Sequence, residues 1–229
     1  MIAPPVVPGS APEAWLHVDP DRPAVRRATA PRLVLFDRDG TLTEDDPPYN
    51  GDPDLVRLRP TAREAVAALR AEGVAVGVIS NQSGVGRGLL TRAQVEAVAD
   101  RIEQLLGRFD AWIFCPHTPA AGCACRKPAP GMVLAAAAAL GVDPAQTAVI
   151  GDIGADLGAA AAAGATGVLV PTAVTRAEEV AAAPRVAPDL LTAVSALLRP
   201  ARPATTARPA PTARPAPTAR PAAATGVVR

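Results

Sequence analysis

Apolar residues in this chain fall into short unbroken runs that alternate with longer segments of mixed polarity. Leu33, Val34, Leu35 and Phe36 form the first run, and 74–79, 111–115, 147–150 and 167–170 form four more. Runs this short, apolar at every position and bounded by turn formers, predict strands buried on both faces. The intervening segments carry helical signals. Thr61 and Glu64 have the spacing of a capping box, ahead of Ala65, Val66 and Leu69, with Gly73 as the stop. Thr91 and Gln94 repeat the device ahead of a stripe of Val95, Val98, Ile102 and Leu105. Residues 132–140 predict a helix ended by Gly141, and about 156–163 one ended by Gly164. Two more helices are expected near 176–183 and 188–198. Fully apolar strands alternating with amphipathic helices predict an α/β fold, a doubly wound parallel sheet covered on both faces. Ligands of such sheets bind beyond the carboxyl ends of the strands. Chemistry is therefore expected from Asp37, Ser80, Cys115 and Gly151 onward.

The two ends break this pattern. Residues 1–31 are Pro-rich without an apolar period and read as a disordered arm, with Trp15 its one candidate for docking on the body. Residues 199–229 repeat with period six (Ala201, Arg202, Pro203 and again Ala207, Arg208, Pro209). Proline at that density forbids helix and ladder and leaves an extended, polyproline-like tail. It reads as solvated chain with no packed role, or as a docking peptide for a partner. The domain proper is expected over 32–198.

Charge and composition then narrow the function classes. The 229 residues carry 23 Lys+Arg against 22 Asp+Glu, a net charge of +1. That balance argues against holding nucleic acid or an anionic membrane on a broad basic face. The longest apolar stretch, 157–170, falls short of the ~18 residues a span needs. With no basic n-region before an apolar stretch, no leader peptide is expected. Three cysteines do not make a disulfide framework, so a reducing cytoplasm is expected. Lys127 is the single lysine among 22 arginines. In so biased a composition the rare residues mark places where chemistry overrules drift.

Several of them lie at the predicted strand ends. Asp37 and Asp39, two apart in extended backbone, point the same way, and Gly40 allows a sharp turn over them. Ser80, Asn81, Gln82 and Ser83 offer a hydroxyl and amide cluster suited to phosphate oxygens. Arg126 and Lys127 set a planar fork beside a point charge. Asp152 and Asp156 share one face across a helical turn. Facing acid clusters repel unless a divalent cation sits between them, and all-oxygen acidic ligands suit Mg²⁺. Separately, Cys115, His117, Cys123 and Cys125 gather all three cysteines and one of two histidines within eleven residues. This is the Cys₃His pattern of a closed structural zinc site. A disulfide would strand one thiol, and buried free thiols leave His117 unexplained.

Asp37-Arg38-Asp39-Gly40-Thr41, Ser80, Lys127 and Gly151-Asp152 with Asp156 together resemble the four motifs of the haloacid dehalogenase superfamily of phosphotransferases. The resemblance implies a Rossmann-like core with Asp37 as nucleophile and Asp39 as acid/base. Ser80 and Lys127 would hold the phosphoryl group. Asp37, the Asp39 carbonyl and Asp152 would bind Mg²⁺, with Asp156 a ligand or close behind one. Too little chain lies between the motifs for an inserted cap, so a capless member is expected. With the zinc loop, segments 80–88 and 125–132 are similar to the group of that superfamily acting on heptose 1,7-bisphosphate and histidinol phosphate. That likeness spans about 32–175. It implies substrate contacts from Arg38, Asp45, Tyr49, Ser80, Asn81, Gln82, Ser83, Arg126 and Lys127. The chain departs from the group in Asp45-Asp46-Pro47-Pro48-Tyr49 and in a short loop between cysteines.

The expected activity is Mg²⁺-dependent hydrolysis through an aspartyl-phosphate, removing the 7-phosphate of D-glycero-D-manno-heptose 1,7-bisphosphate. Its competitors are histidinol-phosphate hydrolysis and, in another class, an inactive zinc-stapled binding module. The expected partner is a small phosphorylated metabolite, with no nucleic acid or membrane, and the expected state is a monomer.

Overall fold

The computed structural model describes residues 14–199. Six strands, β1 (Trp15–Val18), β2 (Leu33–Phe36), β3 (Ala75–Asn81), β4 (Ala111–Cys115), β5 (Thr147–Gly151) and β6 (Thr166–Leu169), form one sheet in the order β1-β4-β3-β2-β5-β6. All pairs are parallel except β1 with β4. The helices are α1 (Ala62–Ala71), α2 (Ser83–Gly86), α3 (Arg92–Leu106), α4 (Gly131–Leu140), α5 (Gly154–Ala163), α6 (Ala177–Ala182) and α7 (Leu190–Leu198). The expected doubly wound sheet is present. Among the described residues no cap domain is inserted, and no helix is long and apolar enough to cross a membrane.

Strand alternation assigns the two faces. Val34 and Phe36 pack with Val66, Leu69, Val95, Ile102 and Val194 of α1, α3 and α7. Leu33 and Leu35 pack with Met132, Val133, Ala136, Ala159 and Ala160 of α4 and α5. Central β2 is level with both neighbours: Phe36 lies opposite Val78 of β3 and Ile150 of β5. The chain turns one way from β2 to β3 and reaches β5 on the other side, so a crevice opens beyond Phe36.

Two expectations need correction. The arm expected over 1–31 belongs to the fold from Trp15 on. β1 covers the outer edge of β4, with Trp15 opposite Phe114 and their rings 5.3 Å apart. Backbone bonds from Asp19 to Asp110 and from Arg26 and Arg27 to Gly73 strap down the next segment. A four-residue edge strand burying one side chain has too little periodicity to stand out against prolines. Residues 1–13 and the repeat tail from 200 lie outside the described residues. The second correction concerns Thr61, which does not cap α1. It sits in the left-handed region at φ 64, and its Oγ1 accepts from Leu191 N at 3.2 Å, tying α1 to α7. The box at Thr91 and Gln94 forms as expected.

Candidate active site at the strand ends

Leaving β2, Asp37 donates its backbone N–H to Ile150 O (2.9 Å), which keeps it in the sheet plane between β3 and β5. Gly40 then turns at φ 82, where a Cβ would overlap the Asp152 carboxylate. This glycine lets the first acidic loop close on the acid that follows β5. Lys127 is buried between carboxylates. Its Nζ lies 2.6 Å from Asp37 Oδ1 and 2.7 Å from Asp156 Oδ1, and donates to Ile79 O at 3.0 Å. Asn81 clamps the lysine's backbone from both sides: Lys127 N donates to Asn81 Oδ1 (3.1 Å), and Asn81 Nδ2 to Lys127 O (3.2 Å).

Asp39 points elsewhere. Arg38 Nε donates to both its oxygens (2.9 and 3.0 Å), and Gln82 Nε2 donates to Asp39 Oδ2 and Ser80 Oγ, each at 2.8 Å. Arg38, expected to touch substrate, is 1% exposed and spends its Nε on Asp39. Ser80 is likewise buried, at the floor of the crevice. Two contributions carried no signal in the sequence. Ile79 serves through its carbonyl, which any residue has. Thr175 holds the loop after β5 by donating from Oγ1 to Asp152 O at 2.7 Å.

The electrostatics are those of a site short of positive charge. Burial pushes the Asp37 carboxyl well above its ordinary range; Lys127 pulls it back, and Asp156, Asp152 and Asp39 add to the rise. Burial and then Asp156 raise Asp152 to about 7. Burial works against the Lys127 charge, but Asp156 and Asp37 outweigh it and hold the amine protonated. Asp37, Asp152 and Asp156 can bring one oxygen each within 4.8 Å of one another. Hard oxygen donors with excess negative charge fit a divalent cation such as Mg²⁺. The Asp39 carboxylate is not in this set.

At the end of β4 and in the loop after it, Cys115, His117, Cys123 and Cys125 also bring their ligand atoms within 4.8 Å. Sulfur separations run from 3.2 Å (Cys115–Cys125) to 3.6 Å (Cys115–Cys123), and His117 Nδ1 is 3.2 Å from Cys125 Sγ. These are far beyond a disulfide's ~2.05 Å. They approach the roughly 3.8 Å edge of a tetrahedron with ~2.3 Å metal–sulfur bonds. The cluster is joined to the other site through its chain: Arg126, next after Cys125, donates from Nη1 to His117 O at 3.2 Å.

Of the remaining expected residues, Asp45 and Tyr49 stand exposed on the loop after β2, and Asn81 and Ser83 follow Ser80 along the crevice. The exposed Asp45 is still partly shielded from water, and that desolvation and then Asp39 push its carboxyl up. Tyr49 rests on α2, where a Cβ on Gly84 would lie 2.9 Å from its ring. With Leu55, Leu89, Leu90 and Gln94 it lines an open cleft of about 470 Å³ beside the crevice. Sequence reasoning missed that cleft, because Leu55 and Leu89 belong to no apolar period and are brought together only by the fold.

A doubly wound sheet whose central strand β2 leads into Asp37, with a buried lysine and a cation-ready acid set, is the arrangement of the haloacid dehalogenase-like hydrolases. Residues 124–195 match the family described as HAD-hydrolase-like. The D-glycero-beta-D-manno-heptose-1,7-bisphosphate 7-phosphatase of Bordetella bronchiseptica is 39% identical over 145 residues, covering 62% of this chain and 81% of that one. The enzyme of that name from Pseudomonas aeruginosa is 38% identical over 144 residues, covering 61% and 81%. The crystal structure of the B. bronchiseptica D,D-heptose 1,7-bisphosphate phosphatase, complexed with magnesium and phosphate, superposes with a TM-score of 0.66 at 35% identity, covering 73% of this chain and 98% of that one. The chain belongs to this family of phosphatases.

Proposed function

We propose that this protein is a phosphomonoester hydrolase that removes the 7-phosphate of a D-glycero-D-manno-heptose 1,7-bisphosphate. One observation carries the reading: Asp37, at the end of the central strand, is held by the only lysine of the chain and has two further buried carboxylates in reach. Asp37 attacks phosphorus, the P–O bond to the sugar breaks, and Asp39 supplies the proton to the departing alkoxide. Water then attacks the aspartyl-phosphate, with Asp39 taking up its proton, and inorganic phosphate leaves. Arg38 and Gln82 hold Asp39 in place for both transfers, and Gln82 keeps Ser80 beside it. Lys127 and Ser80 hold the phosphoryl oxygens, with the lysine charge secured by its buried acids. Mg²⁺, held by Asp37, Asp152 and the Asp39 carbonyl with Asp156 adjoining, supplies charge neutralisation for the phosphoryl group. Cys115, His117, Cys123 and Cys125 would hold zinc in a structural role, since four protein ligands leave no open position.

Phosphate release from a panel of sugar bisphosphates, sugar monophosphates and histidinol phosphate tests the assignment. The heptose bisphosphate is expected to give the highest kcat/KM, one phosphate per molecule and a product that keeps its 1-phosphate. Asp37→Asn is expected to abolish turnover with the fold and zinc intact. Preference for histidinol phosphate, or wild-type turnover by Asp37→Asn, overturns the substrate or the mechanism respectively.

A further inference from the structure

The loop that borders the site has an unusual charge. Residues 44–54 contain Glu44, Asp45, Asp46, Asp52 and Asp54, all exposed, and no base. Arg57, the next cation, spends its Nη1 on the carbonyls of Asp54 and Val56. This loop forms one wall of the 470 Å³ cleft, whose other wall is Leu89, Leu90 and Gln94. Leu55, Tyr49 and Leu89 are 41%, 42% and 59% exposed there, an apolar strip below an acidic rim. Five carboxylates beside the entrance are a poor approach for a doubly phosphorylated substrate.

The complementary charge lies in the same chain. Residues 200–229 contain Arg202, Arg208, Arg214, Arg220 and Arg229 and no acid. A polyproline II helix has three residues per turn. In that register positions 201, 204, 207, 210, 213, 216, 219 and 222 share one edge, and every one is alanine. Arg202, Arg208, Arg214 and Arg220 share a second edge, about 19 Å apart at ~3.1 Å per residue. As a sequence pattern the repeat thus spaces alanine every third residue and arginine every sixth, which a three-residue turn would sort onto one small apolar edge and one cationic edge. The apolar edge permits close approach to an apolar strip while the cationic edge meets the rim.

Reach is ample. α7 begins against Thr61, seven residues after the acidic loop, and its nine residues carry the chain only about 14 Å further. Thirty residues follow Arg199, enough to span up to roughly 90 Å at ~3.1 Å per residue.

We propose that the Ala/Arg/Pro repeat of residues 200–229 docks in cis along the Tyr49–Leu55–Leu89 cleft and neutralises the acidic rim, easing entry of an anionic substrate. The entry part rests on the bisphosphate reading; the docking does not.

The experiment places the photo-cross-linker p-benzoylphenylalanine at Thr212 of the full chain. On irradiation at about 20 mM salt the expected cross-links join the tail to segments 44–55 or 89–94 within single chains. At about 0.5 M salt they fall at least fivefold, because exposed charges are then screened. Cross-links spread over other faces, or present only between two chains, overturn docking in cis. A second variant keeps the full chain but carries Arg202→Ala, Arg208→Ala, Arg214→Ala and Arg220→Ala. Its KM for the bisphosphate is expected to rise about three- to tenfold at low salt, with kcat unchanged and the difference gone at high salt. An unchanged KM overturns the neutralising role. Cross-linking needs no substrate, so failure of the heptose assignment leaves its outcome readable.

Discussion

Arg126 and Lys127 are adjacent in the chain and opposite in situation. Lys127 is buried, with its ammonium between Asp37 and Asp156, where the proposed mechanism brings the phosphoryl group. Arg126 is half-buried and bonded through one nitrogen to His117 O, and the rest of its planar fork is free for an anion at a distance. A second phosphate on the substrate is such an anion; a monophosphate has none. Arg126→Ala is therefore expected to lower kcat/KM for the bisphosphate roughly ten- to a hundredfold, the worth of a lost charged hydrogen-bond pair of about 1.5–3 kcal/mol. Monophosphate hydrolysis should change little, and the bisphosphate loss should sit mainly in KM. Equal losses on both substrates would return Arg126 to the core phosphate site. Steady-state kinetics on one bisphosphate and its monophosphates measure the difference.

Among the elements, the loop from Cys115 to Lys127 couples the two sites. It leaves β4 through Cys115, returns through Cys123 and Cys125, and within two residues delivers Arg126 and Lys127. Cys123→Ser removes one of four ligands from a segment with little regular structure beyond one 3₁₀ turn, Pro119–Ala121. The expected loss is at the upper end for a single substitution, about 4 kcal/mol, or roughly 8–16 °C in Tm. Zinc content should drop from about one per chain, and activity should fall with it because Lys127 loses its anchor. Full activity without zinc, by metal analysis, would sever the cluster from catalysis. These ligands were legible in the sequence because cysteine and histidine are rare here and lie close together. Strands β2 to β6 were legible because they are apolar on both faces. β1 was not, since its one buried ring, Trp15, makes no period. The cap at Thr61 was misread because its hydroxyl serves Leu191, 130 residues away, which local spacing cannot reveal. In the site the residue types were legible while their partners were not. Arg38 is 1% exposed and bonds Asp39 through Nε, a pairing that its place in the motif does not reveal.

At the scale of the whole molecule, the crowded acids set a relation between pH, metal and stability. Without a cation, Asp152 has a folded pKa of about 7 against an ordinary 3.8, raised by burial and then by Asp156. Between those values the folded protein binds more protons than the unfolded chain, so stability falls as pH rises through the window from about 4 to 7. Asp37 is shifted in the same direction and adds to the slope. The full effect is on the order of a few kcal/mol. A divalent cation reverses the cost only where the carboxylates are ionised, because a bound ion must displace their protons. Protein prepared free of Mg²⁺ but with zinc retained should therefore lose Tm from pH 5 to pH 8. Mg²⁺ should restore little at pH 5 and much at pH 8, about 2.7 kcal/mol at a hundredfold excess over its Kd. Asp152→Asn removes one titrating acid and one ligand together. It should flatten the pH slope of the Mg²⁺-free protein and abolish the stabilisation by Mg²⁺ at pH 8. Thermal unfolding at both pH values, with and without Mg²⁺, reads both. A Mg²⁺ effect of equal size at pH 5 and pH 8 would mean that the acids after β2 and β5 are not where the ion binds.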